Sequence, residues 1–346
     1  MIKDIAPALL GWYDQHRRSL PWRAEMGEIA DPYHVWMSEI MLQQTTVATV
    51  KSYFEKFLRL WPTVMDLAAS PQEDILREWA GLGYYARARN LHKCAGVIAN
   101  EHSGIFPDSY DQLITLPGIG DYTAAAIASI AFGKSKAVVD GNVERVVSRL
   151  YRITEELPKA KAPIKAKTVK LTPKERAGDY AQAMMDLGSS ICTPKNPKCA
   201  QCPLNSYCKA YKQGDAQTYP RKAPKKARPV RRSIAFYLIC DDHIYLERRP
   251  EKGLLGGMLG LPHGPWVERA TIPTLDEAET SAPIKATWSK LNGMASHTFT
   301  HFHLEIEVYL GELKTKPNSL KGEWHAIKTI NKAGLPTVFK KMVALR

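Results

Sequence analysis

Four of the chain's six cysteines lie in one short stretch, CTPKNPKCAQCPLNSYC (residues 192–208). Zinc sites usually show two C-x2-C pairs or mix cysteine with histidine, whereas four thiolates without a histidine nearby also suit an iron–sulfur cluster. The stretch therefore predicts a metal site, and its spacing leaves zinc and an iron–sulfur cluster both open. The candidate ligands, spaced C-x6-C-x2-C-x5-C, are Cys192, Cys199, Cys202 and Cys208.

The segment LPGIGDYTAAAIASIAF, which begins at Leu116, predicts a tight hairpin that leads into a helix. Gly118 and Gly120 let the backbone turn sharply, and the alanine-rich run behind them favours a helix. Such a turn exposes amide N–H groups at the start of the helix, where they can bind a phosphate without reading bases. An ordinary helix–turn–helix corner is the alternative.

A single carboxylate, Asp140, follows an apolar pair in VVDGNVERVVSRL. Its position predicts an N-cap for the helix that starts near Val143. A hydrogen-bonded carboxylate that faces a cleft can also stabilise a developing cation. Asp140 is therefore a candidate for catalysis as well as for capping.

The elements that must position these residues fall into three parts. Residues 1–211 carry apolar residues at intervals of three and four, which predicts a mainly helical region. Residues 212–232 hold three prolines and a run of lysines and arginines, which predicts a basic, extended linker. In residues 233–346, runs such as SIAFYLICDDHIYLERRP read as strands around turns and predict a smaller α+β domain.

The net charge and the lengths of the apolar runs favour a nucleic-acid-binding protein over a membrane or secreted one. The formal net charge of +13 and the pI of about 9.3 favour a nucleic-acid partner. No apolar run approaches the roughly 20 residues of a membrane span, so we expect no membrane association. Asp4 and Asp14 flank a very short apolar stretch, which is not a signal-peptide pattern, so we expect a cytosolic protein with reduced thiols.

Taken in order, LPGIGDYTA, VVDGNVERV and the cysteine spacing resemble the helix–hairpin–helix DNA glycosylases that carry a [4Fe–4S] cluster. In the endonuclease III branch of that superfamily, a hairpin lysine attacks the sugar and enables strand cleavage. Tyr122 stands at the corresponding position here, and a tyrosine forms no Schiff base. The resemblance therefore argues against an endonuclease III-like bifunctional pyrimidine glycosylase and lyase, which remains the alternative.

Further segments are similar to the MutY-type branch, the adenine DNA glycosylases; these are LPWR (20–23), DPYHVWMSEIMLQQT (31–45), GLGYYARARNL (81–91) and HTFTHFHLEI. The resemblance implies two helical subdomains with the cluster, then a Nudix-like domain over 233–346. It also implies a monofunctional enzyme, active as a monomer at the bacterial nucleoid. The implied substrate is duplex DNA with adenine opposite 8-oxoguanine or guanine.

The chemistry of adenine removal needs two carboxyl groups in different states. Adenine leaves poorly as an anion, so N7 must receive a proton from an acid that keeps it near neutral pH. Glu39 lies in an otherwise apolar helical segment, where we expect desolvation to raise its pKa. Asp140 suits the second role, as stabiliser of the oxocarbenium ion or as transient nucleophile. The resemblance places Tyr122 and Asn142 near the sugar, where they orient Asp140.

The resemblance assigns further side chains to the bases. It implies that Arg18, Trp22 and Asp186 line the pocket for the flipped adenine, although Arg18 also fits a surface charge and Trp22 a core position. Leu42 and Gln44 follow Glu39 by about one helical turn, so we expect them near the gap that the adenine leaves and near the opposite base.

Recognition of 8-oxoguanine is expected from residues on either side of the linker. Tyr84 follows Gly-Leu-Gly in a predicted turn, which favours an exposed ring that intercalates over a core aromatic. Phe299, Thr300 and His301 stand where the family commonly has Phe-Ser-His. LLGGMLGLPHG matches the glycine-rich turn of Nudix domains, yet no REx2EExG-like run follows. We therefore expect recognition there, without pyrophosphate hydrolysis.

The cysteine cluster receives a structural role in this interpretation. All four ligands are cysteines, and no acid or base with a catalytic setting stands beside them. Lys195, Lys198 and Lys209 surround the stretch and could present cations to phosphates. A non-catalytic DNA-binding protein with a structural cluster is the alternative from another class.

Overall fold

The structure is a computed structural model that describes residues 4–224 and 227–346. Lys225 and Lys226, part of the predicted basic linker, lie outside the described residues. The predicted division into a helical N-terminal region and an α+β C-terminal region is confirmed. Across the described residues no helix is long and apolar enough to cross a bilayer.

By their contacts the residues form two compact units. Of the described residues, 4–69 and 90–224 make up the first unit, and 70–89 and 227–346 make up the second. The stretch 70–89, which the sequence suggested as part of the helical region, thus groups with the C-terminal unit. One reason is a hydrogen bond of 2.6 Å from the Arg89 guanidinium to the carbonyl of Gly256.

Helices make up most of the first unit, and a few short ones belong to the second. In chain order they are α1 (Ile5–His16), α2 (Pro32–Leu42), α3 (Val47–Leu60), α4 (Val64–Ala69), α5 (Gln72–Glu78), α6 (Ala86–Glu101), α7 (Tyr110–Leu113), α8 (Asp121–Ile130), α9 (Gly141–Tyr151), α10 (Lys161–Leu171), α11 (Ala177–Ser190), α12 (Lys209–Lys212), α13 (Leu275–Ala278) and α14 (Thr337–Val343).

Two buried helices, α2 and α8, form the centre of the first unit. Asp31 caps α2 by accepting from the amide of Tyr33 at 2.7 Å, and Pro32 occupies the first helical turn. From Val35 to Met41 every residue of α2 is buried. Helix α8 is rich in alanine and is buried from Thr123 to Ser129. A polar side chain within these buried stretches, such as that of Glu39, is therefore surrounded by protein rather than by water.

Helix α11 approaches the start of α9 unusually closely. A Cβ atom added at Gly188 of α11 would lie 2.5 Å from Cβ of Asn142 in α9. The absence of a side chain at Gly188 thus sets where the first turn of α9 lies.

The predicted linker is only partly extended. Behind α12 the ring of Tyr219 is buried in a small apolar cluster with Ala210 and Ala216. The amide of Leu157 donates to the carbonyl of Arg221 at 2.9 Å. These contacts fix the first half of the segment to the first unit, because its apolar ring and its backbone groups both find partners there.

The second unit is built on a mixed sheet with strand order β3-β2-β1-β7-β5, in which β4 pairs with β1, β6 with β7 and β8 with β2. Strands β1 and β7 run parallel, and the predicted pair of strands around the Asp-Asp turn is the antiparallel pair β1–β2. The strands are β1 (Val230–Cys240), β2 (His243–Arg248), β3 (Leu259–Gly260), β4 (Val267–Glu268), β5 (Ser289–Lys290), β6 (Ala295–Thr298), β7 (His303–Leu313) and β8 (Glu323–Ala326).

Strand β1 is covered on both faces, which explains its continuous apolar run. Ile234 and Phe236 pack on one face with Ala278 of α13. Tyr237 packs on the other face in a cluster that includes Phe339 of α14. A strand buried on both faces cannot alternate apolar and polar residues.

The close approach of α11 and α9 yields the first prediction. We expect Gly188→Ala to push the first turn of α9 away and to lower the free energy of unfolding by about 1–3 kcal/mol. The matched control is Gly11→Ala in α1, where an added Cβ meets open space and the better helix former should stabilise by about 0.5–1 kcal/mol. Denaturant unfolding measures both, and equal stabilisation by the two substitutions would contradict this account of the packing.

Candidate active site

A small cavity of about 50 Å³, open at its mouth, lies in the first unit. The predicted residues Arg18, Trp22, Glu39 and Leu42 are brought together in its wall. The full lining is Arg18, Leu20, Trp22, Arg23, Val35, Ser38, Glu39, Leu42, Val47, Ile130, Gln182 and Met185.

Glu39 is the acid of this cavity, and it is only 6% exposed. Burial raises the pKa of its carboxyl to about 7, against a hydrogen bond donated by the Tyr122 hydroxyl to Oε2. The charge of Asp140 raises this pKa further, and that of Arg23 lowers it. The expected effect of the apolar helix is confirmed: Glu39 is held between its protonated and ionised forms at neutral pH.

The Tyr122 hydroxyl remains a donor under these conditions. Its own pKa is raised well above the usual range, first by burial and then by the charges of Glu39 and Asp140. Tyr122 lies on the first turn of α8, directly behind the hairpin. The hairpin and the acid are thus joined through one short piece of helix.

Asp140 is the N-cap of α9, as predicted. Its Oδ1 accepts from the amide of Val143 at 2.7 Å, and its Oδ2 accepts from Nδ2 of Asn142 at 2.8 Å. The amide of Asn142 is fixed in turn, because its Oδ1 accepts from Arg145 at 2.9 Å. The carboxylate therefore has one fixed orientation, with a second lone pair on each oxygen left for other partners.

Asp186 differs from the expectation, since it stands behind the cavity wall and does not line it. It is 1% exposed and accepts from Arg18 Nε at 2.6 Å. The guanidinium of Arg23 donates to both carboxylate oxygens of Asp186, at 2.7 and 2.8 Å. Burial would raise the pKa of Asp186, yet the hydrogen bonds and charges of the two arginines hold it below its usual range. The carboxylate fixes two cavity residues rather than meeting a ligand itself.

Sequence reasoning missed Arg23 and Gln182 as wall residues. Arg23 closes the LPWR motif, so its signal was present in the sequence. Gln182 stands four residues before Asp186, on the same face of α11. The helical spacing could have indicated it.

The predicted hairpin is present in front of α8. Gly118 has φ +75°, and a Cβ added there would lie 2.6 Å from Cβ of Asn90. Gly120 is the N-cap residue of α8. Glycine is required at position 118, because the backbone has a positive φ and no room is left for a Cβ atom.

Gln44 is exposed just beyond the end of α2, with φ +61°.

The four cysteines surround one small cavity, together with Arg149 and other residues. Across residues 4–224 and 227–346, no three His, Cys, Asp or Glu side chains converge closely enough to hold a single metal ion. Four thiolates without a histidine beside them suit an iron–sulfur cluster. The donor set therefore fits an iron–sulfur cluster held by Cys192, Cys199, Cys202 and Cys208.

A buried arginine ties the first of these cysteines to α9. Arg149 is 1% exposed, and it donates to the carbonyls of Cys192 at 3.2 Å and Thr193 at 2.8 Å. It also donates to the carbonyls of Pro194 at 3.1 Å and Tyr219 at 3.2 Å. One guanidinium thus satisfies four backbone acceptors.

The remaining predicted residues lie in the second unit. Tyr84 is 49% exposed, as expected, and its hydroxyl pairs with that of Thr300 at 2.9 Å. Phe299 is anchored at the loop base, with its ring 5.6 Å from Trp266 and 4.8 Å from Phe302. His301 is exposed at the tip. The loop is therefore held by its phenylalanine and presents the next two side chains.

Curated adenine DNA glycosylases are similar in sequence to nearly the whole of this chain. The chain is 36% identical to an adenine DNA glycosylase of Buchnera aphidicola subsp. Schizaphis graminum, over 97% of each chain. It is 33% identical to the human adenine DNA glycosylase, over 99% of this chain and 75% of the human one. The chain belongs to the adenine DNA glycosylases. Members of this family hydrolyse N-glycosyl bonds in base excision repair.

Family models match three successive parts of the chain. Residues 37–174 match the HhH-GPD superfamily of base excision DNA repair proteins, and residues 192–208 match the iron–sulfur binding domain of endonuclease III. Residues 234–345 match the NUDIX domain. The expected [4Fe–4S] cofactor and the Nudix-like domain of this adenine DNA glycosylase are therefore confirmed.

Solved structures of related enzymes resemble part of the chain. A thermostable thymine-DNA glycosylase aligns with a TM-score of 0.55 and 30% identity, over 61% of this chain and 97% of that one. An endonuclease III in complex with DNA aligns with a TM-score of 0.51 and 26% identity, over 62% and 98%. These relatives support the binding of duplex DNA.

Arg149 yields the second prediction. We expect Arg149→Gln to lower both the iron content of the purified chain and its thermal stability, since each buried acceptor left unpaired costs about 1–3 kcal/mol. Iron analysis and thermal unfolding measure the two effects. The control is Arg152→Gln, which removes an exposed ion pair with Asp215 and should change neither. An Arg149→Gln chain with full iron content would contradict this role.

Proposed function

We propose that this enzyme removes adenine paired with 8-oxoguanine, or with guanine, from duplex DNA without cleaving the strand. The observation that carries the proposal is the state of Glu39, a buried acid with a pKa of about 7 in the wall of an open cavity, which we assign to the flipped base.

Glu39 acts as the general acid. Its Oε2 accepts from Tyr122, so Oε1 is left to carry the proton that moves to N7 of adenine. The C1′–N9 bond then breaks, and its electron pair leaves with the neutral base. The resulting carboxylate of Glu39 takes a proton back from the water that adds to C1′. A positioned acid or base of this kind contributes about 10²–10⁴-fold in rate.

Asp140 stabilises the positive charge that develops on the sugar. Its carboxylate is oriented by Asn142 and by the first turn of α9. Its free lone pairs can face an oxocarbenium ion or form a transient bond to C1′, as in two-carboxylate glycoside hydrolysis. Tyr122 donates to Glu39 and offers no amine, which supports base removal without β-elimination.

Exposed side chains are the candidates for reading the opposite base. Gln44 is exposed beyond the end of α2, and Tyr84 presents a half-exposed ring. Thr300 supplies a hydroxyl that already pairs with that of Tyr84. We assign Thr300, with Phe299 as its anchor and His301 beside it, to the recognition of 8-oxoguanine. Leu42 and the hairpin glycines Gly118 and Gly120 complete the proposed DNA contacts.

One assay tests this function directly. Single-turnover release of free adenine is measured from duplexes with adenine opposite 8-oxoguanine, guanine or thymine. We expect the fastest release opposite 8-oxoguanine and the slowest opposite thymine. Equal rates on all three, or strand cleavage with a borohydride-trapped covalent adduct, would contradict the proposal.

The pH dependence of that release is the third prediction. Since the protonated acid is the active form, the rate should fall about tenfold per pH unit above a midpoint near 7. Tyr122→Phe removes a donor that favours ionised Glu39, so its midpoint should move to higher pH. Glu39→Gln should release almost no adenine at any pH while binding the duplex, and an unshifted Tyr122→Phe profile would refute the proposed coupling.

Thr300 yields the fourth prediction. Thr300→Ala should reduce the preference for 8-oxoguanine over guanine by about threefold to tenfold, because one neutral hydrogen bond contributes roughly 0.5–1.5 kcal/mol. Thr300→Ser keeps the hydroxyl and serves as the matched control, with a preference close to that of the original chain. If the alanine variant discriminates as well as the serine variant, the hydroxyl takes no part in recognition.

A further inference from the structure

A charged residue stands directly beside the proposed phosphate-binding hairpin. Asp121 follows Gly120 and opens α8, and its side chain is exposed. Hydrogen bonds from Lys165 and Tyr110 hold the pKa of this carboxyl below its usual range, so it is ionised at neutral pH. A bare carboxylate here would repel a phosphate that approaches the hairpin amides.

The charge of Asp121 is balanced by a fixed set of partners. Nζ of Lys165, on α10, lies 2.7 and 2.8 Å from its two oxygens. The hydroxyl of Tyr110, on α7, donates to Oδ1 at 2.5 Å. Lys136 in turn lies over the Tyr110 ring, with its Nζ 4.8 Å from the centroid. Two lysines from distant parts of the chain thus meet at the base of the hairpin.

The loop between α8 and α9 adds a third cation. Lys134 pairs with Asp108 at 2.7 Å, and its amide donates to the carbonyl of Ala128 at 2.9 Å. Between the two lysines, Ser135 donates to the carbonyl of Pro173 at 2.8 Å, which attaches the loop to the segment after α10. The lysines are therefore carried by an ordered loop rather than by a free one.

We propose that Lys134, Lys136 and Lys165, here called the lysine shelf, bind phosphates of the duplex next to those held by the hairpin. Lys134 and Lys165 are about half-exposed, at 46% and 50%. An ammonium carries three N–H donors, so each of these lysines can donate to a phosphate while it keeps its carboxylate partner. Duplex DNA carries about one charge per 1.7 Å of its axis, so a duplex seated on the hairpin brings further phosphates close by.

The shelf also explains why an aspartate is compatible with this hairpin. Lys165 and Tyr110 neutralise Asp121 and hold its carboxylate towards themselves. The acid that follows Gly120 is then offset by its partners rather than left bare towards the hairpin. This inference rests on the proposed role of the hairpin in DNA binding and extends it to a broader backbone contact.

The test measures how DNA binding depends on salt. The probe is a duplex with 2′-fluoroadenosine opposite 8-oxoguanine, whose glycosidic bond resists hydrolysis, bound by the full chain between about 50 and 200 mM salt. We expect Lys134→Gln, Lys136→Gln and Lys165→Gln each to reduce the slope of log K against log salt by about 0.9. In the variant that combines all three substitutions, the slope should fall by the sum of the three single reductions.

The matched control is Lys170→Gln, an exposed lysine of the same helix that points about 140° away from Lys165. It should leave the slope unchanged, and thermal unfolding should show that all five variants fold. The proposal is contradicted if the slopes of the three shelf variants are unchanged, or if they fall no more than the slope of Lys170→Gln. A shelf that serves an acidic protein surface instead of DNA gives that same result.

The outcomes separate the shelf from the proposed function. A wild-type chain that releases adenine opposite 8-oxoguanine, but whose salt slope does not depend on the three lysines, contradicts the shelf alone. A wild-type chain that releases no adenine contradicts the proposed function, whatever the slopes of the lysine variants.

Discussion

The hydroxyl of Tyr122 donates to the carboxyl of Glu39 between two helices that exclude water from the acid. Burial favours the protonated form, and the hydrogen bond favours the ionised form. Their balance places the pKa near 7, where the group can both give a proton and take one back. The apolar sequence of α2 and the small residues of α8 both serve this balance, because either a wetter or an unpaired site would fix Glu39 in one state.

The charges around this pair are fixed by residues that do not themselves touch the cavity. Asp186 holds Arg23, whose charge lowers the pKa of Glu39, while Asp140 raises it. Asn142 orients Asp140, and Gly188 lets the turn that carries Asn142 approach α11. The site is therefore a small set of opposed charges in fixed positions, and packing between helices sets their separation.

The sequence predicted best those features that depend on neighbouring residues. The capping by Asp140, the turn at Gly118 and the burial of Glu39 each follow from local pattern. Contacts between distant residues were not predictable in that way. Asp186 meets Arg23 across 163 positions, so its place behind the wall has no local signal. Residues 70–89 group with the second unit for the same reason, since Tyr84 meets Thr300 across 216 positions.

Direct titration of Glu39 tests the central claim most closely. Carboxyl-¹³C-labelled glutamate would be incorporated into the full chain, and the Glu39 signal would be assigned by its loss in Glu39→Gln. The account predicts a chemical-shift midpoint near pH 7. A midpoint near the ordinary glutamate value of about 4.3 would contradict it, because the acid would then be ionised before any substrate arrived.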